Sequence, residues 1–271
     1  MSLISQKSPK YFIFAIIGLI GIAIIFGLSY IFNQEQYPIT ENIYPTDLLY
    51  FFLPAISIIL GTYLSIKNRF KGNSGKSWVF FTLAILSWFV AETTYSYNSE
   101  IDIEDVSTLT SDIFYLLGYP LFFIFTIFYL KPRKQIISKK MIVIASLASI
   151  FFVTPTLYFI IGIDDDLSEF ETVLYGAYPI LDGLILVPSI IAVILFLKGE
   201  VNLLWIMLLL GTIIMFTADI VYLAIESDGS YGIGNPVDIL FLWSYVFYAL
   251  GVWGYIRIYK NSIQKQSILK S

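Results

Sequence analysis

Residues 77–97 read SWVFFTLAILSWFVAETTYSY, and Glu92 is the one charged residue among them. As a helix rising ~1.5 Å per residue, such a stretch crosses the ~30 Å hydrocarbon layer of a bilayer. Its flanks differ in sign. Lys67, Arg69, Lys71 and Lys76 precede it, and Glu100, Asp102, Glu104 and Asp105 follow. Basic residues are retained on the cytoplasmic side during insertion, so the stretch is expected to start inside and end outside.

Seven more apolar runs can be read the same way, near 11–33, 46–66, 110–130, 141–163, 172–197, 202–225 and 237–258. The loop from Asn33 to Thr46 holds Glu35 and Glu41, and that from Lys131 to Lys140 is basic. The next outer loop holds Asp164, Asp165, Asp166, Glu169 and Glu171, and the last holds Glu226 and Asp228. All 16 Lys and Arg residues then fall on one side, from Lys7 and Lys10 to Arg257, Lys260, Lys265 and Lys270. The expected chain is an all-α polytopic protein of the cell membrane, 1–271 forming one membrane domain. It has eight transmembrane helices, both termini cytoplasmic, and a tail over 259–271. The first run is too long for a signal-peptide core and lacks a small-residue cleavage site, so it reads as a retained helix. Trp78, Trp205 and Trp253 lie near predicted helix ends, where interfacial anchors occur.

Composition agrees with a membrane protein: 58% hydrophobic, 18% aromatic and 13% charged residues, with a mean hydropathy of +0.79. Soluble domains carry about twice that charge. The chain has no Cys and no His. Disulfides, thiolate metal sites and imidazole acid–base chemistry are therefore excluded. No cofactor, metal or nucleic acid is expected.

Displacing the chain by about 126 residues lays its second half on its first. Trp78 meets Trp205, Ala91-Glu92 meets Ala218-Asp219, and Tyr95 meets Tyr222. Asp112-Ile113 meets Asp238-Ile239, Tyr119 meets Tyr245, Tyr50 meets Tyr175, and Pro54 meets Pro179. Two tandem four-helix repeats, 11–131 and 141–258, follow. An even helix number inserts both the same way up, so a pseudo-two-fold axis along the membrane normal is expected. Where the second half has Asp182, the first has Ser57.

Five acids fall within or at the start of spans: Glu92, Asp112, Asp182, Asp219 and Asp238. Ionisable residues there are expensive and usually face the bundle interior or a water-filled cavity. Each shares a helix face with tyrosine: Glu92 with Tyr95, Asp112 with Tyr115 and Tyr119, Asp182 with Tyr178, Asp219 with Tyr222, and Asp238 with Tyr245. With no base nearby, the carboxyl groups are either protonated or ionised and compensated by a cation, water or phenols. Structural uses compete: Asp112 and Asp238 stand where Asp caps a helix, and Glu92 and Asp219 can tie helices through Tyr. The other aromatics read as core or lipid-facing, and Gly18 and Gly21 as close-packing positions of the first helix.

The repeated pattern Ala-acid-x-x-Tyr, followed by Asp-Ile-x-x-Leu-x-x-Tyr, resembles the multi-helix membrane sensor regions found N-terminal to diguanylate cyclase domains in bacterial signalling proteins. The matching residues are Ala91-Glu92-Tyr95 with Asp112-Tyr119, and Ala218-Asp219-Tyr222 with Asp238-Tyr245. Tyr178-Pro179-x-x-Asp182 fits the same style, and the likeness covers about 46–258. It implies a sensing role without an assigned ligand. No cyclase sequence follows, so a separate signalling partner is expected.

The leading expectation is a non-enzymatic sensor with an outward-facing acidic, tyrosine-rich cavity for a cation or small amine. The cavity would use Glu92, Tyr95, Asp112, Tyr119, Tyr178, Asp182, Asp219, Tyr222, Asp238 and Tyr245. A cation- or proton-coupled transporter is the alternative, with helix breaks at Pro54, Pro179 and Pro188. An accessory subunit of a membrane complex is a third reading. Intramembrane proteolysis is disfavoured, because Gly232-Ile233-Gly234 is followed by Asn235 rather than Asp.

Overall fold

The computed structural model describes residues 17–27, 45–100, 104–163, 169–196, 202–227, 231 and 235–268. Eight α-helices run through them: α1 (Ile17–Gly27), α2 (Pro45–Lys67), α3 (Gly72–Glu100), α4 (Glu104–Leu130), α5 (Lys139–Ile163), α6 (Glu169–Phe196), α7 (Asn202–Ser227) and α8 (Val237–Ile268). No strand occurs among the described residues. Seven helices, α2 to α8, are long and apolar enough to cross a membrane. The described part of α1 is shorter, and the rest of the 11–33 run lies outside the described residues. So do Glu35, Glu41, Asp102, Asp164, Asp165, Asp166, Asp228, Lys7, Lys10, Lys198 and Lys270.

Apolar residues form both the outside and the inside of the bundle. Phe52, Ile59, Leu147, Phe151 and Val173 are exposed, whereas Trp88, Phe122, Phe125, Leu208 and Tyr248 are buried. An apolar perimeter of this kind suits hydrocarbon rather than water. Inside it, sequence neighbours pack as antiparallel pairs, α2 on α3, α3 on α4, α5 on α6, α6 on α7 and α7 on α8. The main contacts between helices that are not sequence neighbours are those of α2 with α8 and of α4 with α6, with a smaller one between α5 and α7. The short α1 lies on α8, where a Cβ on Gly18 would come within 2.9 Å of Leu250 Cδ1. Close approach through small residues is the usual basis of helix packing in membranes.

The aromatic core sorts the helix ends. Trp78 near the start of α3, Tyr129 near the end of α4, Trp205 near the start of α7 and Tyr255 of α8 share one cluster, with Tyr129 4.9 Å from Trp205 and Trp78 5.3 Å from Tyr255. Arg133 lies over the Phe196 ring at the end of α6, 4.7 Å from its centroid. The described basic residues of the 67–76 and 131–140 segments thus gather at one end of the bundle. The expectation of Trp78 and Trp205 as interfacial anchors is corrected here. Both are fully buried, because a position near a helix end still faces the core when neighbouring ends surround it. Trp253 is half-buried beneath Arg257. Pro54, Pro179 and Pro188 do not interrupt their helices, which run on through them.

The α2–α3 turn is tightly built. The amides of Arg69 and Phe70 donate to the carbonyls of Ile66 and Ser65 at 2.8 and 3.0 Å, the pattern of a Schellman cap. Its left-handed residue is Arg69 (φ 54) rather than glycine, and Phe70 (φ 53) and Gly72 (φ 63) share that region. A Cβ on Gly75 would stand 2.8 Å from the Phe70 carbonyl carbon and 3.1 Å from the Asn68 oxygen. Backbone cannot swing aside, so Gly75→Ala is expected to destabilise by about 2 kcal/mol. Gly72→Ala, which meets open space, should cost about 1 kcal/mol through its φ alone. Thermal unfolding of the two variants checks the order.

Candidate functional site

At the end opposite the basic turns, α3, α4, α6, α7 and α8 bring their acids and tyrosines into one layer. Tyr115 of α4 donates to Glu92 Oε2 at 2.9 Å, and Tyr245 of α8 donates to Oε1 at 3.2 Å. Tyr119 of α4 donates to Asp219 Oδ2 of α7 at 2.9 Å. Tyr178 of α6 donates to Asp112 Oδ1 of α4 at 2.5 Å. At the start of α8, Asp238 Oδ1 accepts from Tyr231 at 3.1 Å, and its carbonyl accepts from Tyr50 of α2 at 3.0 Å. Phenol-to-carboxyl bonds of this kind are the short, charge-assisted class when the acid is ionised.

The bonds to Glu92, Asp219 and Asp112 run between helices. Shared-face spacing points to the right residue types but to other partners. Tyr115, three residues from Asp112, serves Glu92 instead, and Tyr245 reaches the first half rather than Asp238. A helix period says which way a side chain faces, and the neighbouring helix decides what it meets. Tyr95 and Tyr222 border the layer half-buried. Tyr222 stands edge-on to Tyr231, with centroids 4.8 Å apart. Tyr231 lies between α7 and α8. Burial first, and then the Asp238 carboxyl, push its phenol well above the ordinary range, so it stays a donor.

Tyr50, Tyr231 and Tyr248 belong to the layer beyond the residues expected from spacing, and Tyr115, expected beside Asp112, joins it at Glu92. Tyr231 falls outside every apolar run, and Tyr50, though it matches Tyr175 under the displacement, shares no helix face with any of the five acids and bonds a backbone carbonyl. Tyr248 approaches Thr212 Oγ1 at 3.5 Å and stacks on Trp88 at 15°. Trp88 in turn donates from Nε1 to the Tyr115 carbonyl at 3.1 Å, fixing the helix that carries Tyr115 and Tyr119.

Asp182 is the exception. It stands midway along α6 and is 0% exposed. Neither carboxyl oxygen receives a hydrogen bond. It lies against Asp219 and within the field of Tyr119 and Tyr248. Ser57 of α2, which the displacement of the sequence lays on Asp182, is also fully buried with no partner for Oγ. Glu92 and Asp238 are each 8% exposed. The layer is therefore packed, rather than lining an open cavity at these acids. No cluster of three or more potential metal ligands occurs among the described residues.

Removing single phenols weighs the bridges. Tyr119→Phe and Tyr245→Phe are each expected to cost about 1 kcal/mol, the modest value of interhelical hydrogen bonds in membranes. They act on different acids, so the double variant should show near-additive loss in a double-mutant cycle.

No protein-family model matches the chain, and neither does any curated protein or solved structure.

Proposed function

We propose that the chain is an integral membrane sensor of the cell membrane, with both termini cytoplasmic, that binds a cationic ligand in its acid–tyrosine layer and signals to a separate partner. The unpartnered, fully buried Asp182 is the observation that carries this reading. A fully buried carboxyl that accepts no hydrogen bond and lies against a second acid is costly to keep as structure alone.

The two halves are read as tandem repeats about a pseudo-two-fold axis. Reciprocal bonds support this. Tyr119 of the first half serves Asp219 of the second, and Tyr245 of the second serves Glu92 of the first. The contacts of α2 with α8 and of α6 with α4 correspond under the same exchange. The layer then forms the seam between halves, and a ligand drawing on Asp219 loosens a bond that holds the seam. Tyr119 lies on α4, which leads directly into the basic segment at Lys131–Arg133. That segment is the proposed output surface, facing a cytoplasmic partner.

A transporter uses the same charges differently. Continuous helices at Pro54, Pro179 and Pro188 favour the sensor, since transporter sites are typically formed by broken helices. Proteoliposomes separate the two. The sensor binds labelled cations or amines without moving them across the bilayer. Flux above that of empty vesicles, lost in Asp182→Asn, would establish the transporter.

A further inference from the structure

We infer that Asp182 and Asp219 form one closed site for a small monovalent cation, either a proton or an alkali ion, between α6, α7 and α4. The inference rests on the proposed binding role of the layer and narrows its ligand to one class.

Charge comes first. Glu92, Asp112, Asp219 and Asp238 each accept a phenol proton, and Asp182 accepts none. The groups around Asp182 supply no positive charge. They are Asp219 of α7, Tyr119 of α4, Tyr248 of α8, and Tyr178 on its own helix, which is engaged with Asp112. From α5 comes Ser149, whose hydroxyl is given to the Gly183 carbonyl at 2.8 Å. No Lys, Arg or His lies between Lys140 and Lys198 or between Lys198 and Arg257. The compensating charge must therefore come from a ligand.

Size comes second. Asp182 is 0% exposed, and the next residue leaves no slack toward α5. A Cβ on Gly183 would lie 2.4 Å from Val153 Cγ2. With no exposed surface at Asp182 itself, the closed packing suits a bare ion rather than an organic ammonium. Number comes third. Two carboxyls that share one small cation keep a single negative charge, which the Tyr119 hydrogen bond to Asp219 stabilises, and no third acid joins them among the described residues. At the counterpart position Ser57 is polar but neutral, so the stoichiometry is one ion per chain.

Thermal unfolding of the full chain in detergent tests this. Lithium, sodium or potassium chloride is exchanged against choline chloride at constant ionic strength, and the series is repeated across pH. The wild type is expected to gain Tm with the logarithm of the concentration of an alkali ion, of protons, or of both in competition. In the last case the alkali effect shrinks as pH falls. Asp182→Asn should abolish the alkali-ion response and diminish the proton response, which Glu92, Asp219 and Asp238 still share. It should keep a Tm close to that of the loaded wild type, because its amide is neutral and can donate to Asp219. If that variant fails to fold, Asp182→Ser carries the residue found at position 57. A wild type indifferent to both cations and protons overturns the inference, and so does a variant that responds like the wild type. Stabilisation by choline equal to that by sodium overturns the small-ion assignment while leaving the layer's binding role standing. Alkali flux into vesicles would instead overturn the sensor reading and leave the site intact.

Discussion

Replacing Gly118 by alanine is expected to remove most of the folded protein, at a cost of at least ~3 kcal/mol. A Cβ there would sit 2.1 Å from Trp88 Nε1 and 2.5 Å from Cδ1. Trp88 cannot retreat. Its indole donates to the Tyr115 carbonyl, and its ring packs in a triangle with Phe122, centroids 5.7 Å apart, and Tyr248, at 6.1 Å, which also touch each other at 5.5 Å. Moving the ring would shift α4 and with it both Tyr115 and Tyr119, so the acid layer should fail together with the core. Yield of monodisperse protein and its Tm report the loss. A Gly118→Ala variant with the stability of the wild type would show that α3 and α4 pack differently.

The second large effect is expected at Glu92. Glu92→Leu removes the acceptor of two phenols at once and leaves the Tyr115 and Tyr245 hydroxyls without a partner in an apolar interior. Each orphaned hydroxyl costs about 1–3 kcal/mol, so a loss of about 3 kcal/mol is expected. Glu92→Gln keeps an oxygen for one phenol and should lose less than half as much. Equal losses in the two variants would mean that charge, rather than hydrogen bonding, holds this corner.

The sequence made the class of the protein legible because bilayer thickness is a strong constraint on apolar length. Ser77–Tyr97 is flanked by opposite charges, and the helix it predicts forms as part of α3. The acids stood out for the same reason, since a carboxyl in an apolar run is rare enough to notice. Their partners did not. Glu92 and Tyr95 share a face, yet the phenols that serve Glu92 are 23 and 153 residues away. Only the packing of α3 against α4 and α8 decides that choice. Trp78 shows the converse: its place near a helix end suggested the interface, and its neighbours placed it in the core. The isolation of Asp182 was equally invisible, because having no partner is a property of every surrounding helix at once.

Coupling between the two ends is the core of the sensor reading, and hydrogen exchange measures it most directly. The reconstituted protein should be compared with and without a saturating monovalent cation, following backbone amides of residues 131–140. The account predicts that the cation changes exchange there, about half a bundle length from Asp182, and that Asp182→Asn removes the change. Exchange that responds only within the acid–tyrosine layer, or that responds identically in the variant, would contradict it.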